Sequence, residues 1–426
     1  MVRHKSVRRS HQKVSAKHQL TMMLGDTPLW KIAAACVVAL PLALLSAVNS
    51  AAHKTSAVSG PRWTGALTQA PGAPLRPVLA AIARNPQRQD LKRNLDAARA
   101  SVSIAPLHGP ALGVAGLGYD AARRPTQALR AMQQADHLSR REGVAQYWLI
   151  NHAIRGGDAV AALRHYDALL LTLPTAGQPL LQQMAMVTTV PQGRAAMRPY
   201  VRVDNPWFDD FLASALTTLP RAAPLGQLIE QSPRLPDQPA LRPYMGELVR
   251  RLAAEKDYAL LARIYPRLAH TDATALRSVA LNSATVDTGY LPVSWDLGSE
   301  SDFGASLVQA ERGGGFAIEA FSLPGVRGIT ARKLVFLSPG AHQLRWRVSD
   351  KEVNRNALAN WRLSCGATNQ AVESSSILAG QGVQTMVFTV GANCPAWTLE
   401  LMVAGGDGVS PSRVIVEDVA IARQGG

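Results

Sequence analysis

The sequence has few of the residues from which reaction centres and metal sites are usually built. Only 3 cysteines and 10 histidines occur among its 426 residues, and they do not recur at the spacing of zinc ligands. No glycine-rich loop that could cradle a phosphate follows a strand-like run. Of the two adjacent acidic pairs, Asp209-Asp210 suits the first turn of a helix, and Glu417-Asp418 should point to opposite faces of a strand. We therefore predict a noncatalytic protein with no metal site and no cofactor.

The scarcity of cysteine also limits the possible crosslinks. Cys36 lies inside an apolar run, whereas Cys365 and Cys394 both fall in the C-terminal part of the chain. In an exported domain these two thiols should form a disulfide, which would close a loop of about 30 residues and stabilise the fold by about 3 to 4 kcal/mol. Two unpaired, buried cysteines are the alternative, because spacing alone does not establish the geometry.

Acidic residues are outnumbered by basic ones, 30 to 45, which gives a formal net charge of +15. A basic chain can indicate a nucleic-acid partner, because clustered lysines and arginines neutralise phosphates. Here the dense basic group lies between Arg3 and Lys31, and the remaining arginines are scattered without interleaved aromatic residues. We therefore predict no nucleic-acid partner.

One long apolar run, Ile32 to Val48, follows the basic group and carries no charge. Its length of about 17 residues is the lower limit for a helix that crosses a membrane. Positive charge before the run predicts a basic cytoplasmic tail (1–31) and a single transmembrane signal-anchor (32–52) in an inner membrane. A flexible linker (53–74) would follow, and the rest of the chain would lie in the periplasm. A cleaved signal peptide is the alternative, because Ser50, Ala51 and Ala52 are small.

Between residues 75 and 283 apolar residues recur at helical spacing, and a pattern of small and large residues occurs twice, 34 residues apart. The first copy contains Gly116, Tyr119, Ala128, Met132 and Ala135, and the second contains Ile150, Ala153, Ala162, Tyr166 and Leu169. The pattern predicts pairs of helices that stack to share one core.

These positions resemble those of tetratricopeptide repeats, which place small residues where two helices cross, an aromatic residue nearby and a proline near the end. The resemblance assigns repeat packing to Gly116, Tyr119, Ala128, Ala135, Ala162, Tyr166 and Pro174. It implies an α-solenoid over 75–283, although Ile150 replaces the usual glycine and the pattern dissolves beyond Gly177. A nonrepetitive helical domain is the alternative.

From residue 286 onward, short strand-like runs are separated by glycine, serine, asparagine and proline, which is the composition of a β-sandwich. Gly328 to Val348 predicts two strands around a Ser-Pro-Gly turn, with Leu344, Trp346 and Val348 pointing inward. The segment resembles the jelly-roll sandwiches of carbohydrate-binding modules and galactose-binding-like domains. The predicted fold is thus multidomain, α then β, with the sandwich at 286–426.

That resemblance implies sugar binding through aromatic faces. Trp295 and Trp361 lie near loop-like segments and are the candidate glycan-binding residues, while burial in a core is the alternative for each. The predicted function is a membrane-anchored periplasmic scaffold that binds envelope proteins and a polysaccharide during polysaccharide synthesis or export. The alternative is an adaptor subunit of a secretion or division machine with a purely structural sandwich.

Overall fold

The computed structural model describes Leu75 and residues 77–78, 90–172, 177–202, 204–233, 235, 237–286, 288–311, 315–368 and 370–424. The predicted tail, signal-anchor, linker and Pro174 lie outside these residues. Within them, no helix has both the length and the apolar character needed to cross a membrane. The chain divides into two compact units, Met1–Ala145 and Gln146–Gly426.

Eleven helices of seven or more residues precede the strands in the part of the chain that the structure describes. They are α1 (Leu91–Ile104), α2 (Gly109–Ala121), α3 (Pro125–Leu138), α4 (Gly143–Arg155), α5 (Ala159–Thr172), α6 (Gly177–Val187), α7 (Pro191–Met197), α8 (Phe208–Thr218), α9 (Ala223–Gln231), α10 (Arg242–Ala254) and α11 (Tyr258–Ile264). A single turn, α12 (Ser283–Val286), leads into the sandwich. The predicted helical region is confirmed, and its assignment to the tetratricopeptide family stays a prediction.

The first helices follow the 34-residue period that the sequence indicated. Helices α2, α4 and α6 begin at Gly109, Gly143 and Gly177, each 34 residues after the last. Helices α3 and α5 begin at Pro125 and Ala159, with the same spacing. The repeated unit is therefore a pair of helices joined by a three-residue turn.

These turns end the first helix of each pair in the same way. In α2–α3, α4–α5 and α10–α11, an N–H donates at 2.9 Å to the carbonyl five residues earlier, as in a Schellman motif. The residue at the turn has a positive φ: 55° at Arg123, 72° at Gly157 and 60° at Lys256. Glycine adopts this left-handed conformation at the lowest cost, and Gly157 occupies that position in the α4–α5 turn.

The residues predicted to pack the repeats lie mostly in the interior. In the first copy of the repeat, Ala128 and Ala135 are fully buried and Tyr119 is half-buried. A Cβ added to Gly116 would lie 2.7 Å from the Met132 side chain, so a larger residue could not fit there without a shift. In the second copy of the repeat, Ala162 is buried.

Tyr166, the aromatic residue of the second predicted repeat, is fully buried in the core of the second unit. Its hydroxyl donates to Gln183 at 2.8 Å and so ties α5 to α6. Burial raises the pKa of Tyr166 to about 12, because desolvation disfavours the phenolate. The large position of the pattern is thus a core contact between consecutive helices.

Arginine side chains cap the carboxyl ends of several helices in the second unit. The last carbonyls of a helix have no partner within it, and a guanidinium can accommodate two of them at once. Three arginines of the described residues donate to such carbonyls. Arg194 donates to the Thr188 carbonyl at 2.8 Å, just after α6. Arg251 donates to the Leu216 carbonyl of α8 at 2.5 Å, and Arg267 donates to the Ser232 carbonyl, just after α9. Part of the arginine excess therefore has a structural role.

Arg251 has the most extensive contacts of the three. It also donates to the Leu219 carbonyl at 3.0 Å and pairs with Glu255 at 3.0 Å. Both Glu255 oxygens in turn accept from the Ala222 N–H at 2.9 Å, at the start of α9. One ion pair on α10 thus fixes the end of α8 and the start of α9.

Replacing Arg251 by methionine should lower the free energy of unfolding by about 2 to 3 kcal/mol, because buried carbonyls and Glu255 lose a charged partner. Chemical denaturation followed by circular dichroism measures the change. The matched control is Arg250→Met on the same helix, where the arginine is exposed and contacts Glu247 at 2.6 Å; that change should cost less than about 1 kcal/mol. Equal losses in both variants would contradict this role for Arg251.

The described residues of the sandwich form ten strands in two antiparallel five-stranded sheets. The strands are β1 (Asp296–Leu297), β2 (Phe303–Gln309), β3 (Phe316–Ser322), β4 (Arg327–Phe336), β5 (Gly340–Glu352), β6 (Leu358–Cys365), β7 (Ala371–Glu373), β8 (Gly382–Val390), β9 (Ala396–Ala404) and β10 (Ser412–Arg423). Their order is β1-β4-β9-β6-β7 in one sheet and β2-β3-β10-β5-β8 in the other. The predicted sandwich is confirmed.

Side chains alternate between the core and the outer face along the long strands. In β5, Leu344, Trp346 and Val348 are buried as predicted, while Arg345 between them is exposed. The same period of two follows from the pleat of every strand. Each sheet therefore has an inner face in the core and an outer face that can be read from the sequence.

Helices of the second unit pack against one end of the β1-β4-β9-β6-β7 sheet. Leu334 of β4 and Ala396 of β9 belong to the same hydrophobic cluster as the helices. Phe336 meets Tyr258 of α11 edge to face, with the ring centroids 6.4 Å apart. The outer face of this sheet is thus partly covered by the chain itself.

Lys333 lies on β4 between Ala331 and Val335 and is fully buried. Its Nζ donates to the Ala275 carbonyl at 3.0 Å and to the Val293 carbonyl. Burial lowers the pKa of Lys333 to about 7, because desolvation disfavours the ammonium form. This side chain joins the sandwich to the segment that precedes β1.

The free energy of unfolding should rise with pH between about 7 and 10 because of Lys333. The folded protein releases this proton near pH 7, whereas the unfolded chain holds it until about 10.4. The unfolded state therefore binds more protons in that window, and raising the pH favours folding with a slope of up to about 1.4 kcal/mol per pH unit. Urea denaturation at several pH values, compared with Lys333→Met, measures it; parallel profiles would contradict it.

Candidate functional site

The tryptophans proposed to stack on sugars lie in the sandwich core. Trp361 in β6 is 0% exposed and Trp295, just before β1, is 5% exposed, and their rings are 6.2 Å apart. A ring enclosed by protein on both faces has no surface to offer a pyranose. Their placement matches the alternative of core packing, and the physical reason is that large aromatic side chains bury the most apolar area.

The predicted disulfide is confirmed. Cys365, the last residue of β6, bonds to Cys394 in the turn before β9, with the Cα atoms 5.9 Å apart. Both residues are buried, and the Trp397 indole donates to the Cys394 carbonyl at 3.0 Å. The bond ties the β8–β9 connection to the end of β6.

A row of alternating charges crosses the outer face of the β1-β4-β9-β6-β7 sheet. The strand register places one charged residue on each strand in turn: Asp296, Arg332, Glu400, Arg362 and Glu373. The end pairs are ion pairs, with 2.6 Å between Arg332 Nε and Asp296 Oδ2 and 3.8 Å between Arg362 Nε and Glu373 Oε1. Each charge has an opposite charge on the neighbouring strand, so the row is nearly neutral.

Glu400, at the centre of this row, has a raised pKa. Desolvation by burial is the largest cause, and the neighbouring Arg362 and Arg332 act in the opposite direction. The carboxylate is therefore held in the row at a cost, despite its two basic neighbours. The row favours the observed register, because a slip of one strand by one residue would move its charge to the core face.

The outer face of the β2-β3-β10-β5-β8 sheet, called here the open face, is different. One end holds Arg413 against three carboxylates, with Glu319 Oε1 2.7 Å from its Nη1 and Asp350 and Glu352 farther away. The other end carries Gln343, Arg345, Val383, Thr385, Val387 and Thr389. All of these side chains are exposed or half-buried.

A bulge in β10 shapes the middle of the open face. Asp418 has a φ of 53°, and the register shifts between Glu417 and Ala420. As a result, Arg347 Nε lies 3.1 Å from Asp418 Oδ2 and 3.7 Å from Glu417 Oε1. The expectation that the two acids point to opposite faces is corrected, since alternation holds only in a regular strand.

Arg345 is the basic residue of the open face that has no ion pair with the described residues. It lies opposite Thr385 of β8 and Ala420 of β10. Its neighbour Arg347 is occupied by Asp418 and Glu417. The arrangement therefore offers an exposed guanidinium beside amide and hydroxyl groups, which can bind a carboxylate and sugar hydroxyls.

Sequence reasoning missed Arg345 as a candidate. The alternation around Trp346 did place it on the outward side of β5, but Arg345 and Arg347 look equivalent in the sequence. The contact with Asp418 that distinguishes them arises from the β10 bulge, 71 residues farther along the chain. No local signal could have shown it.

Comparison with known proteins found solved structures that are similar to part of the chain. No protein-family model and no curated protein matches the chain. Among solved structures, a family 61 carbohydrate-binding module in complex with β-1,4-galactotriose shares 12% identity over 30% of this chain and 88% of that one, with a TM-score of 0.22. A likeness at this TM-score carries no argument about family or ligand, so the resemblance of the sandwich to carbohydrate-binding modules stays a prediction from the sequence.

Two further structures are similar to the same extent. A family 4 carbohydrate-binding module shares 16% identity, over 31% of this chain and 95% of that one, with a TM-score of 0.22. A family 16 carbohydrate-binding module shares 12% identity, over 30% of this chain and 91% of that one, also with a TM-score of 0.22.

Replacing Glu400 by glutamine should raise the free energy of unfolding at pH 7, because the cost of desolvating the Glu400 carboxylate disappears. The two neighbouring arginines keep their ion pairs with Asp296 and Glu373 at the ends of the row. Because the folded pKa is raised, the wild-type protein should gain stability relative to the variant as the pH falls toward that pKa. Thermal unfolding from neutral pH to about pH 4 measures the difference. A variant that is less stable at every pH would contradict the interpretation.

Proposed function

We propose that the chain is a noncatalytic, membrane-anchored scaffold of the cell envelope whose sandwich binds an acidic glycan through the open face. The observation that carries the proposal is Arg345, an exposed guanidinium that forms no ion pair with any described residue and lies beside Gln343 and Thr385. Guanidinium groups bind carboxylates with two parallel hydrogen bonds. A uronic acid residue in a polysaccharide offers such a carboxylate together with hydroxyl groups.

The recognition would be polar rather than aromatic. Among the described residues of the sandwich every tryptophan is buried, and so is Tyr290. No tryptophan or tyrosine ring of this part of the chain offers an exposed face, and the phenylalanine rings there are half-buried or buried, so hydrogen bonds and charge would provide most of the affinity. This explains why an acidic glycan is a better candidate than a neutral one.

The anchoring and the compartment belong to the proposal as well. The basic group before an uncharged run supports a single-pass inner-membrane protein with a cytoplasmic N-terminus. The Cys365–Cys394 bond supports an oxidising compartment such as the periplasm, where disulfides persist. The tetratricopeptide-like repeats would then hold an envelope protein partner during polysaccharide synthesis or export.

A second candidate function is an adaptor of a secretion or division machine with a purely structural sandwich. The observation that favours it is the packing of the sandwich on the helices, through Leu334, Phe336 and the buried Lys333. A domain used only to complete the helical core would need no ligand. The two candidates differ in whether the open face binds anything.

Affinity electrophoresis of the full chain in detergent should distinguish them. We expect retardation in gels that contain polygalacturonate or alginate, and less in gels that contain neutral galactan or xylan. Arg345→Gln should weaken binding to the acidic polymer about tenfold, because a charge-assisted hydrogen bond contributes roughly 1.5 kcal/mol or more.

The matched control is Arg327→Gln, which removes the same charge from an exposed position on β4 of the other sheet. A chain with a net charge of +15 attracts any polyanion, so a loss shared by both variants would indicate nonspecific attraction. Polyaspartate at the same ionic strength tests that attraction separately. Absence of retardation by every polysaccharide would support the structural sandwich instead.

A further inference from the structure

The charges around Arg345 are distributed unevenly along β5. Arg345 forms no ion pair with any described residue, whereas Arg347, two residues along the same face, has two carboxylates close by. Its Nε lies 3.1 Å from Asp418 Oδ2 and 3.7 Å from Glu417 Oε1. The Cα atoms of the two arginines are about 7 Å apart at the rise of a β-strand. One guanidinium is therefore available to a ligand, and its neighbour is already neutralised.

Arg347, Glu417 and Asp418, called here the Arg347 group, combine one guanidinium with two carboxylates and so have a formal excess of one negative charge. Glu417 is buried, and only 1% of its side chain is exposed. Asp418 is much more open, with 45% of its side chain exposed. The Arg347 group therefore presents a carboxylate to solvent on one side of the free guanidinium.

The outward residues on the other side of Arg345 carry no charge. Along β5 the next outward residue is Gln343, and Thr385 lies opposite Arg345 on β8. Strand β8 reads GVQTMVFTV, which contains no acidic or basic residue. Arg423 of β10 pairs in register with the buried His342, so its side chain starts from the inner side of the pleat. The open face thus has one free positive charge between a negative group and a neutral surface.

We propose that the open face selects an acidic glycan in which neutral sugars separate the uronic acids. The inference rests on the proposed binding of a uronic acid at Arg345. A uronic acid held there has a neighbouring sugar on each side, so one neighbour faces the Arg347 group whichever way the polymer runs along β5. A neutral sugar in that place can donate a hydroxyl to Asp418, whereas a second carboxylate is repelled by it.

Asp418 is the residue that sets this selectivity, and it can be tested by a conservative change. Its φ is 53°, in the left-handed region, which asparagine also adopts more readily than most residues. Asp418→Asn therefore removes one negative charge and keeps the bulge. The matched control is Asp350→Asn at the far end of the same sheet. Asp350 has nearly the same side-chain exposure, 44%, and its Oδ2 lies 3.3 Å from Arg413 Nη2.

Affinity electrophoresis of the full chain in detergent, with two forms of one polymer, measures the selectivity. The first form is polygalacturonate, and the second is polygalacturonate with part of its carboxyls reduced to alcohols, at equal carboxylate concentration and ionic strength. We expect the partly reduced form to bind about threefold more tightly, because repulsion between two like charges about 7 Å apart in water amounts to roughly that factor. Nonspecific attraction to a chain with a net charge of +15 predicts the opposite order.

Asp418→Asn should tighten the binding of polygalacturonate about threefold and change the binding of the partly reduced form less. Asp350→Asn should leave the ratio of the two affinities at its wild-type value. Tighter binding of polygalacturonate by the wild type, or a ratio that Asp418→Asn leaves unchanged, would overturn the selectivity while the proposed function stands. If Arg345→Gln binds both forms as well as the wild type does, the proposed function fails and this inference fails with it.

Discussion

The packing of tryptophan rings between the two sheets is the interaction on which the rest of the sandwich depends. Trp346, Trp361 and Trp397 are enclosed, and Trp295 closes the core from the segment before β1. Each ring removes on the order of 150 to 250 Å² from water, so the four account for a large part of the driving force. Because aromatic residues make up only 5% of the chain, using them in the core leaves outer faces that are mainly polar.

The outer faces differ in how their charges are arranged. On the β1-β4-β9-β6-β7 sheet, the alternating row from Asp296 to Glu373 gives each charge a partner on the next strand. On the open face, the bulge at Asp418 brings its carboxylate to Arg347, and Arg345 has no ion pair within the described part of the chain. The first arrangement favours one register, and the second leaves a charge for a ligand. Arginines that cap helices, such as Arg251, show a third use of the same residue type.

Much of the fold could be predicted from the sequence, because the relevant signals are local. The 34-residue period that predicted the helix pairs reappears in the starts of α2, α4 and α6. The alternation around Trp346 gave the inner face of β5, and export predicted the Cys365–Cys394 bond. The candidate site was less accessible, since loop-like flanks suggested exposure for Trp295 and Trp361, whereas tertiary packing buries both rings.

The sequence by itself determined which segments form helices and strands, where the turns lie and which strand residues face inward, because propensity and periodicity act over a few residues. Only the tertiary structure decided which charges are neutralised and which remain available. It also decided that β8 is an edge and that Lys333 is buried against the Ala275 and Val293 carbonyls. These properties depend on contacts between residues up to 94 positions apart, as for Arg413 and Glu319, and no local pattern encodes such contacts.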